Sequence, residues 1–149
     1  MPADELIMRG QTTADASETL NFGGRTPGYG YRLVEFRIWP YTSIHATTYE
    51  MTGCVTAAKI AANPESPNFD EPGLIGNAWI SDDGGAHYPM TYNSLVNDLF
   101  VITQDLILSV KEGSGSDYAV NWHCKFEKVK LSGSAEAVAN FNQFTIFDG

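Results

Sequence analysis

Three histidines and two cysteines are the side chains of this 149-residue chain best suited to hold a metal ion or to act as a catalytic nucleophile and base. His45, His87 and His123 stand far apart, and no two of them have the short spacing of zinc ligands. His123 adjoins Cys124, but neighbouring side chains of a strand leave it on opposite faces, so these two cannot pair. The sequence therefore predicts no metal site, no cofactor and no catalytic residue.

The segment Asp82-Asp83-Gly84-Gly85 is similar to the start of a calcium-binding loop. No acidic residue follows to close such a loop, so a plain turn is the better interpretation. Sugar binding is more credible than sugar hydrolysis by a pair of carboxylates, because aromatic rings with a few polar groups nearby are typical of ligand sites. The same rings also suit the core of a sandwich, and that alternative stays open. The candidate ligand-binding residues are Trp79, Asp82, Asp83, Tyr88 and Tyr92.

A net charge of −9 and a pI near 4.6 indicate an acidic surface. The nine Lys and Arg residues are scattered, whereas nucleic-acid binding needs a clustered basic surface, so no nucleic-acid partner is expected. No apolar run approaches the roughly 20 residues that span a bilayer, and the N-terminus lacks the features of a signal peptide. We expect a soluble protein made in the cytoplasm, with no membrane partner. Cys54 and Cys124 lie in apolar settings and are expected to be buried free thiols.

The stretch from Tyr118 to Leu131 gives the clearest indication of secondary structure. Apolar and polar side chains alternate through most of its length, which is the pattern of a half-buried antiparallel strand. After Lys128 the apolar side chains change parity, and this indicates a bulge. The Gly-Ser segment 112–117 predicts a tight hairpin that joins strand 106–111 to this strand as a two-stranded ribbon.

Short apolar stretches separated by Gly and Pro predict seven or eight strands along the chain. One short helix over 135–144 is indicated by its apolar spacing and by two serines that can cap it, and 145–147 should be an extended tail. The predicted fold is all-β: an antiparallel β-sandwich, jelly-roll-like, with one short C-terminal helix. An immunoglobulin-like sandwich is the alternative, because Cys54, Trp79 and Cys124 follow the order of its disulfide and tryptophan. The tyrosine expected two residues before the second cysteine is missing.

Residues 1–30 are predicted to form a flexible N-terminal arm, and residues 31–149 a single sandwich domain. The segment 10–30 is polar and rich in glycine, with little periodicity. Two interpretations stay open: a frayed surface segment, or an extended arm that orders against a neighbouring subunit. The short apolar patch at 5–8 can dock as an edge strand in either case.

The closing segment YAVNWHCKFEKVKLSGSAEAVANF, with the arm and the aromatic strands before it, resembles small single-β-sandwich structural proteins of phage virions. The resemblance covers about residues 30–145, at the level of architecture. It implies a non-enzymatic capsid, vertex or decoration protein whose partners are copies of itself and other virion proteins. Genome-packaging jelly rolls commonly have a basic arm, whereas residues 1–30 contain only Arg9 and Arg25. This favours a position at the outside or the vertices, away from nucleic acid.

The leading hypothesis is a homo-oligomeric virion structural protein, made in the host cytoplasm and located in the virion. It assembles through an N-terminal arm that exchanges between subunits, and through sandwich edges and exposed aromatic residues that neighbours cover. The alternative is a carbohydrate-binding or receptor-binding lectin-like module, with a glycan as its ligand. The candidate interface residues are Phe22, Tyr29, Tyr31, Trp39 and Tyr41.

Overall fold

Eight strands and one helix make up the described part of the chain in the structure, a computed structural model. The described residues are 4–24, 26–41, 49–57, 63–82, 91–115 and 118–148, with the backbone alone for 141–148. The elements are β1 (Glu5–Thr12), β2 (Ser17–Leu20), β3 (Tyr29–Pro40), β4 (Tyr49–Ala57), β5 (Leu74–Asp82), β6 (Thr91–Val96), β7 (Leu106–Glu112), β8 (Val120–Lys130) and α1 (Gly133–Asp148).

The strands form two antiparallel sheets, one with the order β1-β8-β3 and one with the order β2-β7-β4-β5-β6. The first strand pairs with the last, the second with the last but one, and β4 with β5. β6 joins the two sheets along one side, because the hydroxyl groups of Tyr92 and Ser94 both donate to the Phe36 carbonyl in β3. The predicted antiparallel β-sandwich with one C-terminal helix is confirmed.

β8 is the central strand of the three-stranded sheet. The alternate side chains from Val120 to Phe126 are buried, as predicted, because they face the other sheet. The predicted bulge in β8 is wrong: the register shifts in β3 instead, where Val34 is the extra residue. This extra residue lets Leu33 and Phe36, three positions apart, both face the core.

The segment between β7 and β8 crosses from one sheet to the other. β7 pairs with β2 and β4, and β8 pairs with β1 and β3. The predicted two-stranded ribbon is therefore wrong, because both edges of each strand are taken by other partners. The Gly-Ser segment after β7 shows where the chain turns, but a turn signal does not decide which strands pair.

Two glycines of the five-stranded sheet make room for Phe36, which is fully buried. A Cβ at Gly53 would lie 3.2 Å from the Phe36 ring, and a Cβ at Gly76 would lie 3.4 Å from it. On the other side of the core, Phe22 packs edge-on against Phe126, with 5.0 Å between ring centroids. Protein interiors are close-packed, so extra volume beside Phe36 must displace neighbouring atoms.

The first residues of the chain contribute a strand to each sheet. β1 pairs with β8 and β2 pairs with β7 of the same chain, and the edge strand expected at 5–8 is the first part of β1. Leu20 and Phe22 are buried, and the Phe22 amide donates to Asp105 Oδ1 at 2.6 Å. The division of the chain into an arm, 1–30, and a sandwich, 31–149, stays a prediction, as does exchange of the arm between subunits.

The C-terminal helix α1 begins at Gly133 and continues to Asp148. Ser132 caps it, since its Oγ accepts a hydrogen bond from the Ala135 amide at 3.1 Å. The extended tail predicted at 145–147 is wrong, because this segment is helical. No Gly or Pro follows the first helical residue to end the helix earlier.

Replacing Gly53 by valine should lower the free energy of unfolding by about 1–3 kcal/mol, the usual cost of overpacking a core. The added methyl groups would meet Phe36 and Ile38, each 3.2 Å from the position of a Cβ at Gly53. Urea unfolding followed by tryptophan fluorescence measures the change. Gly24→Val is the control, since a Cβ at Gly24 meets no atom within 4 Å. Equal stability of the two variants would contradict a tight contact between the sheets.

Candidate functional site

The predicted interface residues at the start of the chain lie at different depths. Phe22 is buried against Tyr31, so another subunit can reach it only if the N-terminal segment leaves its place. Tyr31 is itself partly buried against the core. Lys128 covers one face of Tyr29, with its Nζ 4.3 Å from the ring centroid.

Trp39 and Tyr41, the other predicted interface residues, are both nearly half exposed. The Tyr41 ring packs against Tyr118 with 4.7 Å between centroids. These rings lie where β3 ends at Pro40 and β8 begins at Val120, which we call the upper end of the sandwich. Exposed aromatic clusters of this kind are enriched at protein interfaces.

The described residues of the predicted ligand site do not share a face. Tyr92 pairs with Ile80, the residue after Trp79. Successive side chains of a strand alternate, so the Trp79 and Tyr92 rings leave opposite faces of the sheet. Asp82 lies near Tyr49, and burial together with this carboxylate raises the pKa of the Tyr49 phenol. The remaining predicted residues, Asp83 and Tyr88, lie outside the described ranges.

His123 lies within the described residues, whereas His45 and His87 fall outside them. The described part of the chain contains no group of three or more His, Cys, Asp or Glu side chains that could hold a metal ion. Among the described elements, no helix has the length and apolar character needed to cross a membrane.

The two cysteines are free and buried, as predicted. Cys124 belongs to the core between the sheets. Gly53 faces that core, so the next residue, Cys54, lies on the opposite face of β4, the strand that α1 contacts. Burial raises the pKa of Cys54 to about 11 and that of Cys124 to about 12. The immunoglobulin-like disulfide does not form, and the reactive thiolate is scarce at neutral pH.

A groove of about 800 Å³ lies on the outer face of the three-stranded sheet, close to the upper end. Arg9 of β1 and Arg37 of β3 both lie opposite His123 of β8. In the next row, Trp39 lies opposite Asn121. Opposite residues are about 4.5–5.5 Å apart at Cβ. The sheet therefore brings two guanidinium groups and an imidazole together, with an indole and an amide beside them.

The two arginines of the groove differ in their partners. Arg37 Nε lies 3.3 Å from Glu35 Oε1, and the same oxygen lies 3.7 Å from His123 Nδ1. The exposed Arg9 has no hydrogen bond or ion pair with any residue that the structure describes. An anionic group in the groove would therefore be stabilised by Arg9.

Hydrogen bonds hold the amide of the groove in place. Asn121 Oδ1 accepts from Gln11 Nε2 at 2.9 Å, and Asn121 Nδ2 donates to the Pro40 carbonyl at 3.0 Å. The Trp39 ring adds an apolar surface, and arginine binds carboxylates or phosphates through paired N–H donors. The arrangement is thus suited to an anionic group that is attached to an apolar or aromatic one.

The sequence analysis does not predict this groove. Two of its lining residues were predicted for other roles: Trp39 as an interface residue and Tyr92 as a ligand-binding residue. Its polar side chains come from three strands and look scattered in the sequence. The one sequence signal that points to the groove is the alternation of side chains along each strand. Arg9, Arg37 and His123 each occupy an outward position of their strand. Only the pairing registers place them side by side.

The lower end of the sandwich, where β4 ends and β5 begins, exposes apolar side chains. Phe69, Leu95 and Leu99 are 65%, 62% and 82% exposed. Phe69 and Leu95 line a second groove of about 410 Å³. Two carboxylates, Asp70 and Glu71, directly follow Phe69. The lower end therefore combines apolar and acidic groups.

β1 leaves one edge of the three-stranded sheet without a paired strand among the described residues. It is eight residues long and pairs with β8 alone among the described strands. Ile7 in β1 is 51% exposed. The far edge of β3, by contrast, is covered by β6 and by a bridge between Tyr31 and Ile102. An open edge presents N–H and C=O groups that another chain can pair with.

Comparisons with known proteins do not identify a family. No protein-family model matches the chain, and no curated protein matches it. Among solved structures, a chain from Desmodium yellow mottle tymovirus is 12% identical, with 85% of this chain and 87% of that chain covered and a TM-score of 0.38. A likeness at this TM-score carries no information about function.

Both thiols should resist a water-soluble disulfide reagent in the native protein at pH 7 and react readily after unfolding in urea. The pKa shifts also predict lower stability in alkali. Unfolded thiols ionise near pH 9, and the native ones only near 11 and 12, so the unfolded state loses protons first and the free energy of unfolding falls above about pH 9. Cys124→Ala, the control, should show a smaller decrease. Rapid labelling of both native thiols would contradict their burial.

Proposed function

We propose that this protein is a non-enzymatic structural subunit that assembles with copies of itself into a symmetric particle, a phage virion. The observation that carries the proposal is the open edge of β1, eight residues that pair on one side only among the described strands, with Ile7 exposed. Monomeric sheet proteins commonly protect such an edge with a bulge, a proline or a covering segment. A neighbouring subunit that pairs with the edge would satisfy its backbone groups.

The strand order supports a jelly roll as the fold of the subunit. The pairs β1–β8, β2–β7 and β4–β5 are nested, and β3 contacts β6. Eight strands in two Greek keys are the jelly-roll pattern, which occurs in viral capsids and in lectins. The lectin alternative is less well supported, because Trp79 and Tyr92 leave opposite faces of their sheet.

Exposed apolar surfaces at both ends of the sandwich also support assembly. Trp39 and Tyr41 form the upper surface, and Phe69, Leu95 and Leu99 the lower one. Clustered apolar surface of this kind marks sites of association. We propose that Trp39, Tyr41 and Tyr29 lie in subunit contacts, and that Phe22 and Tyr31 take part only where the N-terminal segment exchanges.

The charge of the subunit supports a place away from the genome. With a net charge of −9, the protein repels polyanions over most of its surface. We propose a position at the outside or at a vertex of the particle, in contact with other virion proteins. Sedimentation velocity and negative-stain images over a concentration series should reveal a ring, a shell or another discrete assembly. A monomer at every concentration would overturn the proposal.

Ile7→Glu should weaken self-association by about tenfold, or ~1.4 kcal/mol, because it adds a desolvation cost at the open edge of β1. The fold should tolerate the change, since position 7 lies opposite Lys125. Val138→Glu is the control, because Val138 is similarly exposed, at 59%, but lies on α1. Light scattering against concentration measures the association. Equal effects of the two variants would contradict a role for the edge.

A further inference from the structure

We infer that the groove on the outer face of the three-stranded sheet, which Arg9, Trp39 and His123 line, is a docking site. Its occupant is the acidic loop 63–73 of a second copy of this chain. The inference rests on the proposed function and adds a second contact to the same assembly. In this contact the Phe69 ring lies against the Trp39 indole, and the Asp70 carboxylate binds the Arg9 guanidinium.

The groove contains two positively charged side chains, Arg9 and Arg37, on a protein that is acidic overall. The chain carries a net charge of −9, yet the rows that form the groove contain no carboxylate, and the nearest, Glu35, is already paired with Arg37. Arg9 has no partner among the described residues. An acidic surface is therefore the complement of the groove, and the chain itself provides such surfaces. The first row is Arg9, His123 and Arg37, and the second is Gln11, Asn121 and Trp39.

Loop 63–73 has the chemistry that the groove requires. It contains three carboxylates and no basic residue. Glu65 is paired with Lys111, at 3.5 Å from Nζ to Oε1. The other two carboxylates are Asp70 and Glu71; Glu71 Oε1 accepts from the Gly73 amide at 3.3 Å, so Asp70 is the one without a partner among the described residues. The exposed Phe69 directly precedes Asp70. An aromatic ring followed by a carboxylate matches a groove that is lined by both an indole and a guanidinium group.

The loop is already held in a defined shape. Asn63 Oδ1 accepts from the Glu65 amide at 3.2 Å, and Asn68 Oδ1 accepts from the Asp70 amide at 3.0 Å. The Leu74 amide closes the loop by donating to the Glu71 carbonyl at 3.1 Å. A preformed loop loses little conformational entropy when it docks, so more of the contact energy is available for association.

The two surfaces lie at opposite ends of the sandwich, so one molecule cannot join them within itself. The groove lies near the pairing of Pro40 with Val120, whereas the loop follows β4, which ends at Ala57, and precedes β5, which starts at Leu74. A contact between two unlike surfaces is heterologous. Repeated from copy to copy, it closes into a ring or continues as an extended array.

Two variants that each disable one surface test the contact. Arg9→Glu changes the groove and leaves the loop intact, whereas Phe69→Ser/Asp70→Arg changes the loop and leaves the groove intact. Each alone should associate at least about tenfold more weakly than the wild type. An equimolar mixture should form a 1:1 complex in sedimentation velocity, because each variant supplies the surface that the other lacks. The control variants are Lys130→Glu and Val138→Ser, which should leave association unchanged, because neither residue belongs to the groove or to the lower surface.

A cross-link gives an independent readout of the same contact. Trp39→Cys protein mixed with Phe69→Cys protein should form a disulfide-linked heterodimer on mild oxidation, while the buried native thiols stay unmodified. If the wild type assembles but both surface variants assemble equally well and no cross-link forms, this inference is overturned and the proposed function stands. If the wild type is monomeric at every concentration, the proposed function fails as well.

Discussion

The pairing of β8 with β1 on one side and β3 on the other is the constraint on which the rest of the structure depends. Its inward residues, such as Trp122 and Phe126, close the core against the five-stranded sheet. Its outward residues take part in the same two registers, so the packing that fixes the core also fixes which outer side chains are neighbours. The cationic row around His123 is therefore a consequence of the fold rather than of a local motif.

The two ends of the sandwich differ in chemistry. The upper end carries aromatic rings beside Arg9 and Arg37, and the lower end carries exposed apolar groups beside Asp70. A third surface, the open edge of β1, lies along the side. Unlike ends favour contacts that repeat from one copy to the next, whereas a strand edge favours pairing of backbones. Together the three surfaces agree with a subunit that has several neighbours.

Several parts of the fold could be predicted from the sequence because their signals are local. The alternation in β8 is set by the geometry of one strand, and the cap at Ser132 by hydrogen bonds within one turn. The pairing of β7 and the bulge at Val34 could not be predicted, since both depend on which strand lies alongside. The candidate groove belongs to this second kind. Trp39 could be predicted from the sequence as an exposed aromatic residue, but the presence of Arg9 in the same groove could not.

The sequence by itself determined the acidic charge, the all-β class, the buried free state of Cys54 and Cys124, and the single helix at the end. These follow from composition and from periodicity along the chain. Only the tertiary structure decided that Arg9 and Arg37 flank His123 and that β1, among the described strands, pairs on one side alone. The physical reason is that strand order and register are set by non-local hydrogen bonds and by packing of the whole core. One strand's sequence specifies its two faces but not its neighbours.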